Sequence, residues 1–154
     1  MPPQWKINTP KDDDDYFARM SRALFVAGLK WSVVYNKWPG FEKAFSNFSI
    51  NKVSKFSEKD VKSLMKDDKI VRNEKKIRAV IYNAQEILNL KKEYGSFQKY
   101  VRSFKGDESL LITDLRSRFK FLGESTARMF LYMAGMKLTP TKEEMQWHSQ
   151  HMKK

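Results

Sequence analysis

The stretch Phe119-Lys-Phe-Leu-Gly-Glu-Ser-Thr-Ala127, with the apolar run that follows it, predicts two helices joined by a tight turn. Gly123 supplies the backbone freedom that such a turn needs. The amides of residues 125–127 would then point out of the N-terminus of the second helix, where the helix dipole favours an anion.

This geometry, placed at residues 109–136, resembles a helix-hairpin-helix, which holds a phosphate through backbone amides and so ignores base sequence. A plain helix C-cap at Gly123 is the alternative. The flanking cations Arg116, Arg118 and Lys120 favour a phosphate-binding turn over a plain C-cap. The residues of this turn that we expect to contact a phosphate backbone are Lys120, Gly123, Ser125, Thr126 and Ala127.

A second stretch, residues 67–84, combines a basic turn with the start of an amphipathic helix. Apolar residues repeat at helical spacing from Ile77 to Leu88, which predicts a helix over residues 73–90. Upstream, Ser57-Glu-Lys-Asp60 resembles a capping box, with Asp in place of the usual Glu or Gln, and predicts another helix start.

Residues 16–36 also have helical periodicity, with a bend at Gly28, and Pro39-Gly40 is expected to break the chain. We find no internal repeat and no stretch of useful length with the period of a strand. The predicted fold class is therefore all-α, in one domain that spans residues 1–154. Residues 1–11 are expected to be irregular, and residues 140–154 to form a polar tail or a short helix.

The composition favours a polyanionic partner. Lys and Arg number 30 against 18 Asp and Glu, which gives a formal net charge of +12. Nucleic acid is the first candidate partner and an anionic membrane surface the second, with a basic protein that has no such partner as the alternative. The chain has no cysteine, which excludes disulfides and Cys-ligated metals. No apolar run resembles a signal peptide or a membrane span, so we expect a cytoplasmic, nucleoid-associated protein.

Several segments resemble the DNA-3-methyladenine glycosylase I family, within the helix-hairpin-helix DNA glycosylases, and occur in the same order. Together they cover about residues 16–136. They are Ala27-Gly-Leu-Lys-Trp31, Phe41-Glu-Lys-Ala-Phe45, Val53 to Phe56, Ile70-Val-Arg-Asn73 with Lys76-Ile77, Asn83-Ala84, Gly95-Ser-Phe97 and Arg118-Phe-Lys-Phe-Leu-Gly123.

The resemblance implies an enzyme that bends duplex DNA, extrudes a damaged nucleotide and binds it in a pocket. The family's target, 3-methyladenine, is cationic within DNA and therefore already a good leaving group. Trp31 matches the family's pocket tryptophan and would stack on that base through a cation–π interaction. A core tryptophan is the alternative. Trp5 matches an N-terminal pocket tryptophan, or is a hydrophobic plug, and Tyr16 is a further pocket candidate.

The same resemblance places Gly28 and Leu29 in the loop that approaches the lesion, and we expect Lys30, which follows them, to contact DNA. Arg72 and Lys76 belong to a basic cluster at the start of the helix at 73–90, where we expect exposed cations and one or two phosphate contacts. The alternative for this cluster is the solvent face of an amphipathic helix.

The chain departs from the family at two sites. Ala23 stands where the family carries a pocket glutamate, so the carboxylate that would hydrogen-bond the adenine edge is missing. The family also carries a zinc site of cysteines and histidines near the termini. Two histidines, His148 and His151, cannot close a tetrahedral site, so we predict no metal, and packing of Trp147 against Trp5 would join the termini instead.

Two acids near the end of the sequence are the candidate catalytic groups. Ser125 stands where bifunctional relatives place a Schiff-base lysine, so lyase activity is not expected. Glu143 or Glu144 falls near a catalytic aspartate of related glycosylases and could stabilise an oxocarbenium-like sugar or orient water. Acids in the first turn of a terminal helix are the alternative.

The sequence therefore predicts a monomeric, monofunctional glycosylase that needs no cofactor and acts on double-stranded DNA containing an alkylated purine such as 3-methyladenine. The alternatives are a non-catalytic DNA-binding protein on the same scaffold and a glycosylase for a different lesion. Ala23 is the residue that favours these alternatives.

Overall fold

The computed structural model describes residues 5–143 and 145–146. Within these residues the chain forms α helices and one 3-10 turn and contains no strand, which confirms the all-α prediction. The helices are α1 (Asp13–Val26), α2 (Trp31–Ala44), α3 (Ile50–Val53), α4 (Glu58–Leu64), α5 (Glu74–Tyr94), α6 (Phe97–Arg102), α7 (Glu108–Arg118) and α8 (Glu124–Met133), and the 3-10 turn is Ser46–Phe48.

Local sequence signals set several helix ends. The side chain of Asn73 begins α5 by accepting a hydrogen bond from the Lys76 amide at 3.1 Å, and Gly95 ends the helix in a left-handed conformation with φ +95°. The capping box at Ser57 and Asp60 is present at the start of α4. The predicted helix at 73–90 is confirmed, and it extends four residues further, to Tyr94.

The acidic run that begins α1 also serves two other helices. Asp12 is the N-cap of α1 and accepts a hydrogen bond from the Asp15 amide at 2.8 Å. Asp13 accepts from the amide of Phe97 at 3.0 Å, and Asp14 accepts from the amide of Ile50 at 3.0 Å. Carboxylates favour helix N-termini because the first amides there have no intrahelical acceptor. The run therefore fixes α3 and α6 against the start of α1.

The structure differs from the sequence prediction around Gly28 and Pro39. The predicted helix at 16–36 is two helices separated by residues 27–30, and Gly28 adopts φ +80° in that loop. Helix α2 continues through Pro39 to Ala44. An interior proline removes one helical hydrogen bond, but the neighbouring side chains of Trp38 and Phe41 are buried and hold the helix in place.

Helix α1 lies at the centre of the core, where Phe17, Met20 and Leu24 are fully buried. It packs against α8 and α5. Residues 5–10, here called the N-terminal strap, cross the end of α8. A Cβ added to Gly135 would lie 2.7 Å from the Asn8 carbonyl carbon, so glycine permits this close approach. None of the helices within the described ranges is long and apolar enough to cross a bilayer.

Candidate functional site

A cavity of about 960 Å³ lies beside α8. Helix α8 contributes Ser125 and Tyr132 to its wall, and the N-terminal strap contributes Ile7. Trp31, at the start of α2, and Glu143, from the C-terminal segment, complete the wall. A cavity of this size suits a small organic ligand bound between apolar walls with a few polar groups.

Trp31 joins this cavity to a cluster of aromatic side chains. The ring centroids of Trp31 and Trp5 are 5.7 Å apart. Trp5 also meets Tyr35 at 5.2 Å and Trp38 at 5.9 Å, both edge to face. The structure therefore brings together the two tryptophans that the sequence nominated for a pocket, with Trp31 on the cavity wall and Trp5 behind it.

Arg22 adds a positive charge to the aromatic cluster. Its guanidinium carbon lies 5.1 Å from the ring centroid of Trp5 and 5.1 Å from that of Trp38. Burial, and then the nearby charge of Arg19, lower the pKa of Arg22. Arg22 immediately precedes Ala23 in α1, and its guanidinium lies on the tryptophan cluster. The position of half-buried Arg22 could not be predicted from the sequence, because no local pattern separates it from an exposed arginine.

Tyr16 and Ala23 lie in the core instead of on the cavity wall. Ala23 is fully buried. The ring of Tyr16 packs against Phe97 at 4.9 Å, and burial raises the pKa of its hydroxyl. Both are buried and neither lines this cavity, so a contact of either side chain with the base stays a prediction.

The loop at residues 27–30 presents an exposed Leu29 and an exposed Lys30 next to Trp31. A Cβ on Gly28 would meet no described atom within 4 Å, so the positive φ of the loop is what calls for glycine there. The Leu29 amide donates to the Val26 carbonyl at 2.8 Å, which closes the loop onto the end of α1.

Lys76 is not an exposed cation, because its side chain binds the backbone of this loop. Its ammonium donates to the carbonyl oxygen of Ala27 at 2.7 Å and to that of Phe25 at 3.3 Å. The side chain is 9% exposed, and burial lowers its pKa. The expectation of a phosphate contact at Lys76 is therefore corrected, whereas Arg72 is exposed, as expected.

The turn between α7 and α8 has a different geometry from the one expected. Gly123 has φ −67° and ψ 178°, a conformation open to most residues, and Phe121 takes the left-handed conformation with φ +60°. Phe121 is nevertheless 48% exposed. A bulky residue in this backbone region is uncommon and strained. The residue of this turn with a positive φ is therefore Phe121, two residues before Gly123, where the sequence suggested it.

Asn83 on α5 fixes this turn by binding the backbone of Lys120 twice. Its Oδ1 accepts from the Lys120 amide at 2.8 Å, and its Nδ2 donates to the Lys120 carbonyl at 3.1 Å. The Lys120 ammonium lies 4.4 Å from the ring centroid of exposed Tyr82. Arg118 does not face outward, because it pairs with Asp114 at 2.7 Å and Glu86 at 3.2 Å.

The N-terminus of α8 begins at Gly123, which is its N-cap. The Ala127 amide donates to the Gly123 carbonyl at 2.8 Å, so it belongs to the helix ladder and cannot bind an outside anion. The amides that precede this first helical bond are those of Glu124, Ser125 and Thr126. The expected anion-binding set is thus shifted by one residue, with Glu124 replacing Ala127.

A model of the methyladenine glycosylase family matches residues 3–143 of the chain. The protein belongs to this family. Among its relatives, the DNA-3-methyladenine glycosylase of Haemophilus influenzae is 26% identical, over 71% of this chain and 70% of the relative. DNA-3-methyladenine glycosylase 1 of Escherichia coli K12 is 28% identical over the same shares of the two chains.

Solved structures of 3-methyladenine DNA glycosylase I superpose on most of this chain. A variant of 3-methyladenine DNA glycosylase I solved in complex with 3-methyladenine has a TM-score of 0.78 and 27% identity, covering 92% of this chain and 88% of that one. The 3-methyladenine DNA glycosylase I of Staphylococcus aureus also gives a TM-score of 0.78 at 27% identity, covering 92% and 87%.

The C-terminal segment brings one acid to the cavity. Glu143 is exposed and lines the cavity, and the Met145 amide donates to the Thr141 carbonyl at 2.9 Å as in a helical turn. The other predictions for this segment lie outside the described residues. They concern Glu144, Trp147, His148 and His151.

The zinc site that the resemblance implies does not fit this chain. Thiolate ligands are excluded, because the chain has no cysteine. Across residues 5–143 and 145–146, no group of three His, Cys, Asp or Glu side chains is placed to hold a metal ion.

Proposed function

We propose that this protein is a monofunctional DNA glycosylase that hydrolyses the N-glycosidic bond of alkylated purines, such as 3-methyladenine, in double-stranded DNA. One observation carries the proposal: Trp31, the first turn of α8 and Glu143 face one cavity. A stacking surface, a phosphate-facing helix end and a carboxylate are the groups that base excision needs in one place.

The first step is capture of the DNA backbone. A phosphate would bind at the amides of Glu124, Ser125 and Thr126, where the dipole of α8 favours negative charge. Gly123 carries no side chain beside these amides, and an added Cβ would meet no atom of the described residues within 4 Å. The space in front of this helix end is therefore open to a bulky backbone.

The second step is extrusion of the lesion into the cavity. The loop at residues 27–30 holds the exposed Leu29 next to Trp31, where it can fill the space that the flipped nucleotide leaves in the duplex. Flipping costs a few kcal/mol and least for a base that pairs poorly, which itself selects damaged sites. The indole of Trp31 then stacks on the base, with about 2 kcal/mol of cation–π attraction for a cationic purine shielded from water.

The third step is cleavage of the bond between the base and the sugar. A cationic purine leaves without being protonated, so the protein has to stabilise the electron-deficient sugar and orient a water molecule. Glu143, from the C-terminal segment, is a carboxylate on the cavity wall that can do both. Ser125 cannot form a Schiff base, so the product is an abasic site and not a cleaved strand.

The decisive experiment is chromatographic detection of free base released from methylated duplex DNA under single-turnover conditions. Trp31→Ala should abolish release of 3-methyladenine, and Trp31→Phe should retain part of it. Glu143→Gln should lower the rate by roughly 10²-fold, a typical loss for a general base. Glu58→Gln, a change in an exposed acid on α4 that does not line the cavity, is the matched control and should retain most activity. An unchanged rate in Glu143→Gln would contradict the catalytic role of Glu143.

Arg22 favours a second candidate, a glycosylase for a lesion of different charge. Its guanidinium lies on the faces of Trp5 and Trp38, and Ala23 offers no carboxylate beside it. A cation there repels a positively charged base and favours a neutral base with acceptor atoms. Arg22→Met should then raise the release of 3-methyladenine relative to neutral lesions. A non-catalytic DNA-binding protein would release no base in either form while keeping salt-dependent binding.

We expect the active species to be a monomer in the cytoplasm, associated with the nucleoid through its net charge of +12. No cofactor is needed in this mechanism, because water is the only co-substrate of the hydrolysis.

A further inference from the structure

A single arginine connects the N-terminal strap to the rest of the molecule. Arg19, on α1, is buried and only 6% exposed. Its guanidinium donates to the Met133 carbonyl at 2.9 Å and to Oδ1 of Asn8 at 2.8 Å, and it also donates to the Asn8 carbonyl. Arg19 thus binds the strap and the C-terminal end of α8 at the same time.

Asp15 completes this arrangement one turn earlier on α1. It pairs with Arg19 at 3.0 Å. The same carboxylate oxygen accepts a hydrogen bond from the Lys11 amide at 2.9 Å. The strap is therefore held at Asn8 through the arginine and just beyond its end through the carboxylate. The charge of Asp15 also compensates a guanidinium that is otherwise out of reach of water.

The position of the strap decides the shape of the cavity. Ile7 forms part of the cavity wall, and so does Gly135, against which the Asn8 backbone packs. At the start of the strap, Trp5 contacts Trp31, the proposed stacking residue. A strap that came loose would remove one wall and the support behind Trp31, but it would leave the core around α1 in place.

We propose that Arg19 is a positioning residue that fastens the N-terminal strap to α8 and thereby sets the wall of the base-binding cavity. The chain has no cysteine for the zinc site that the family resemblance implies near the termini, and a planar guanidinium with several donors can join two backbone segments without a metal. This inference rests on the proposed function for its effect on catalysis, but the fastening itself can be measured without catalysis.

The test compares Arg19→Met with Arg78→Met in the full chain. Arg78 is the matched control, because it is an exposed arginine on α5 whose partners, Glu58 and Glu74, are also exposed. The first readout is trypsin cleavage after Lys6 or Lys11, both of which are exposed. Arg19→Met should be cut at least about tenfold faster than wild type, since a loosened segment opens at little cost in free energy, whereas Arg78→Met should be cut at the wild-type rate.

The second readout is base release at a temperature well below unfolding. Arg19→Met should lower kcat by about 10- to 100-fold, because small displacements of a binding wall have effects of that size. Arg19→Lys should not rescue it, since one ammonium cannot reach all the acceptors of the guanidinium. Asn8→Ala, which removes one acceptor and leaves the arginine in place, should give a smaller loss and guards against misfolding of the arginine variants.

The outcomes separate the two proposals. Rapid strap cleavage with no base release even in wild type would overturn the glycosylase proposal and support the fastening. Wild-type cleavage rates and wild-type kcat in both Arg19→Met and Asn8→Ala would overturn the role of Arg19. A melting temperature of the wild-type protein that falls after treatment with EDTA would also overturn it, since a metal would then hold the structure.

Discussion

Replacing Lys76 with methionine should destabilise the loop next to Trp31 by an amount that follows from its contacts. The change keeps the aliphatic stem and removes the ammonium that donates to the carbonyls of Ala27 and Phe25. Hydrogen bonds from a charged donor contribute about 1.5–3 kcal/mol each when a buried acceptor would otherwise lose its partner.

The net effect is smaller than the sum of the two bonds. Burial lowers the pKa of Lys76, which shows that desolvation of the ammonium already opposes its charged form. Methionine avoids that desolvation, so a loss of about 1–2 kcal/mol remains. For a chain of 154 residues, an unfolding entropy of about 0.3 kcal/mol per kelvin converts this to a fall in Tm of roughly 3–6 °C.

The assay is thermal unfolding followed by circular dichroism, with Lys75→Met as the control. Lys75 is exposed and neighbours Lys76 on the same helix, so its change should leave Tm within about 1 °C. Hydrogen exchange of the Leu29 amide, which donates to the Val26 carbonyl, should accelerate only in Lys76→Met. Equal Tm values and equal exchange in the two variants would refute the argument that Lys76 supports the loop.

Three further predictions concern single positions. Gly40→Ala should lower stability by about 1–3 kcal/mol, because its Cβ would lie 2.4 Å from the Lys69 carbonyl oxygen, and urea denaturation measures this. Gly123→Ala should leave Tm unchanged and weaken DNA binding in a fluorescence anisotropy titration, and unchanged affinity would argue against a phosphate at this helix end. Burial alone would raise the pKa of Asp15, but hydrogen bonds from the Lys11 amide and Arg19 outweigh it and lower the pKa. The stabilisation from Asp15 is therefore complete above about pH 4, and it is lost as the pH falls through the lowered pKa. Hydrogen exchange of the strap amides should become faster over that fall in pH.

The parts of the fold that the sequence predicts are those with local causes. Asn73 and Gly95 bound α5 through contacts within a few residues, so its position could be foreseen. Pro39 shows the opposite case. Its effect on α2 depends on the burial of Trp38 and Phe41 against distant helices, which no local signal reports.

The same distinction applies to the candidate site. Trp31 and Glu143 could be nominated from the resemblance, and the fold brings both to one cavity. The prediction that Lys76 is an exposed cation was wrong because its acceptors, Phe25 and Ala27, lie some fifty residues earlier in the chain. The role of Arg19 depends on three segments that meet only in the folded protein, so periodicity on α1 could not reveal it.

Helix α5 has a consequence for how this protein can vary. Lys76 holds the loop at residues 27–30, and Asn83 holds the turn before α8. The two residues are seven positions apart on one continuous helix, which places them on the same side and about 10 Å apart along the axis. The helix therefore sets the distance between the loop at residues 27–30 and the turn before α8. One residue inserted between Lys76 and Asn83 would lengthen their separation along the helix axis by about 1.5 Å and rotate one side chain by about 100° relative to the other. Insertions are therefore tolerable in the loops that α5 holds, but not in this stretch of the helix.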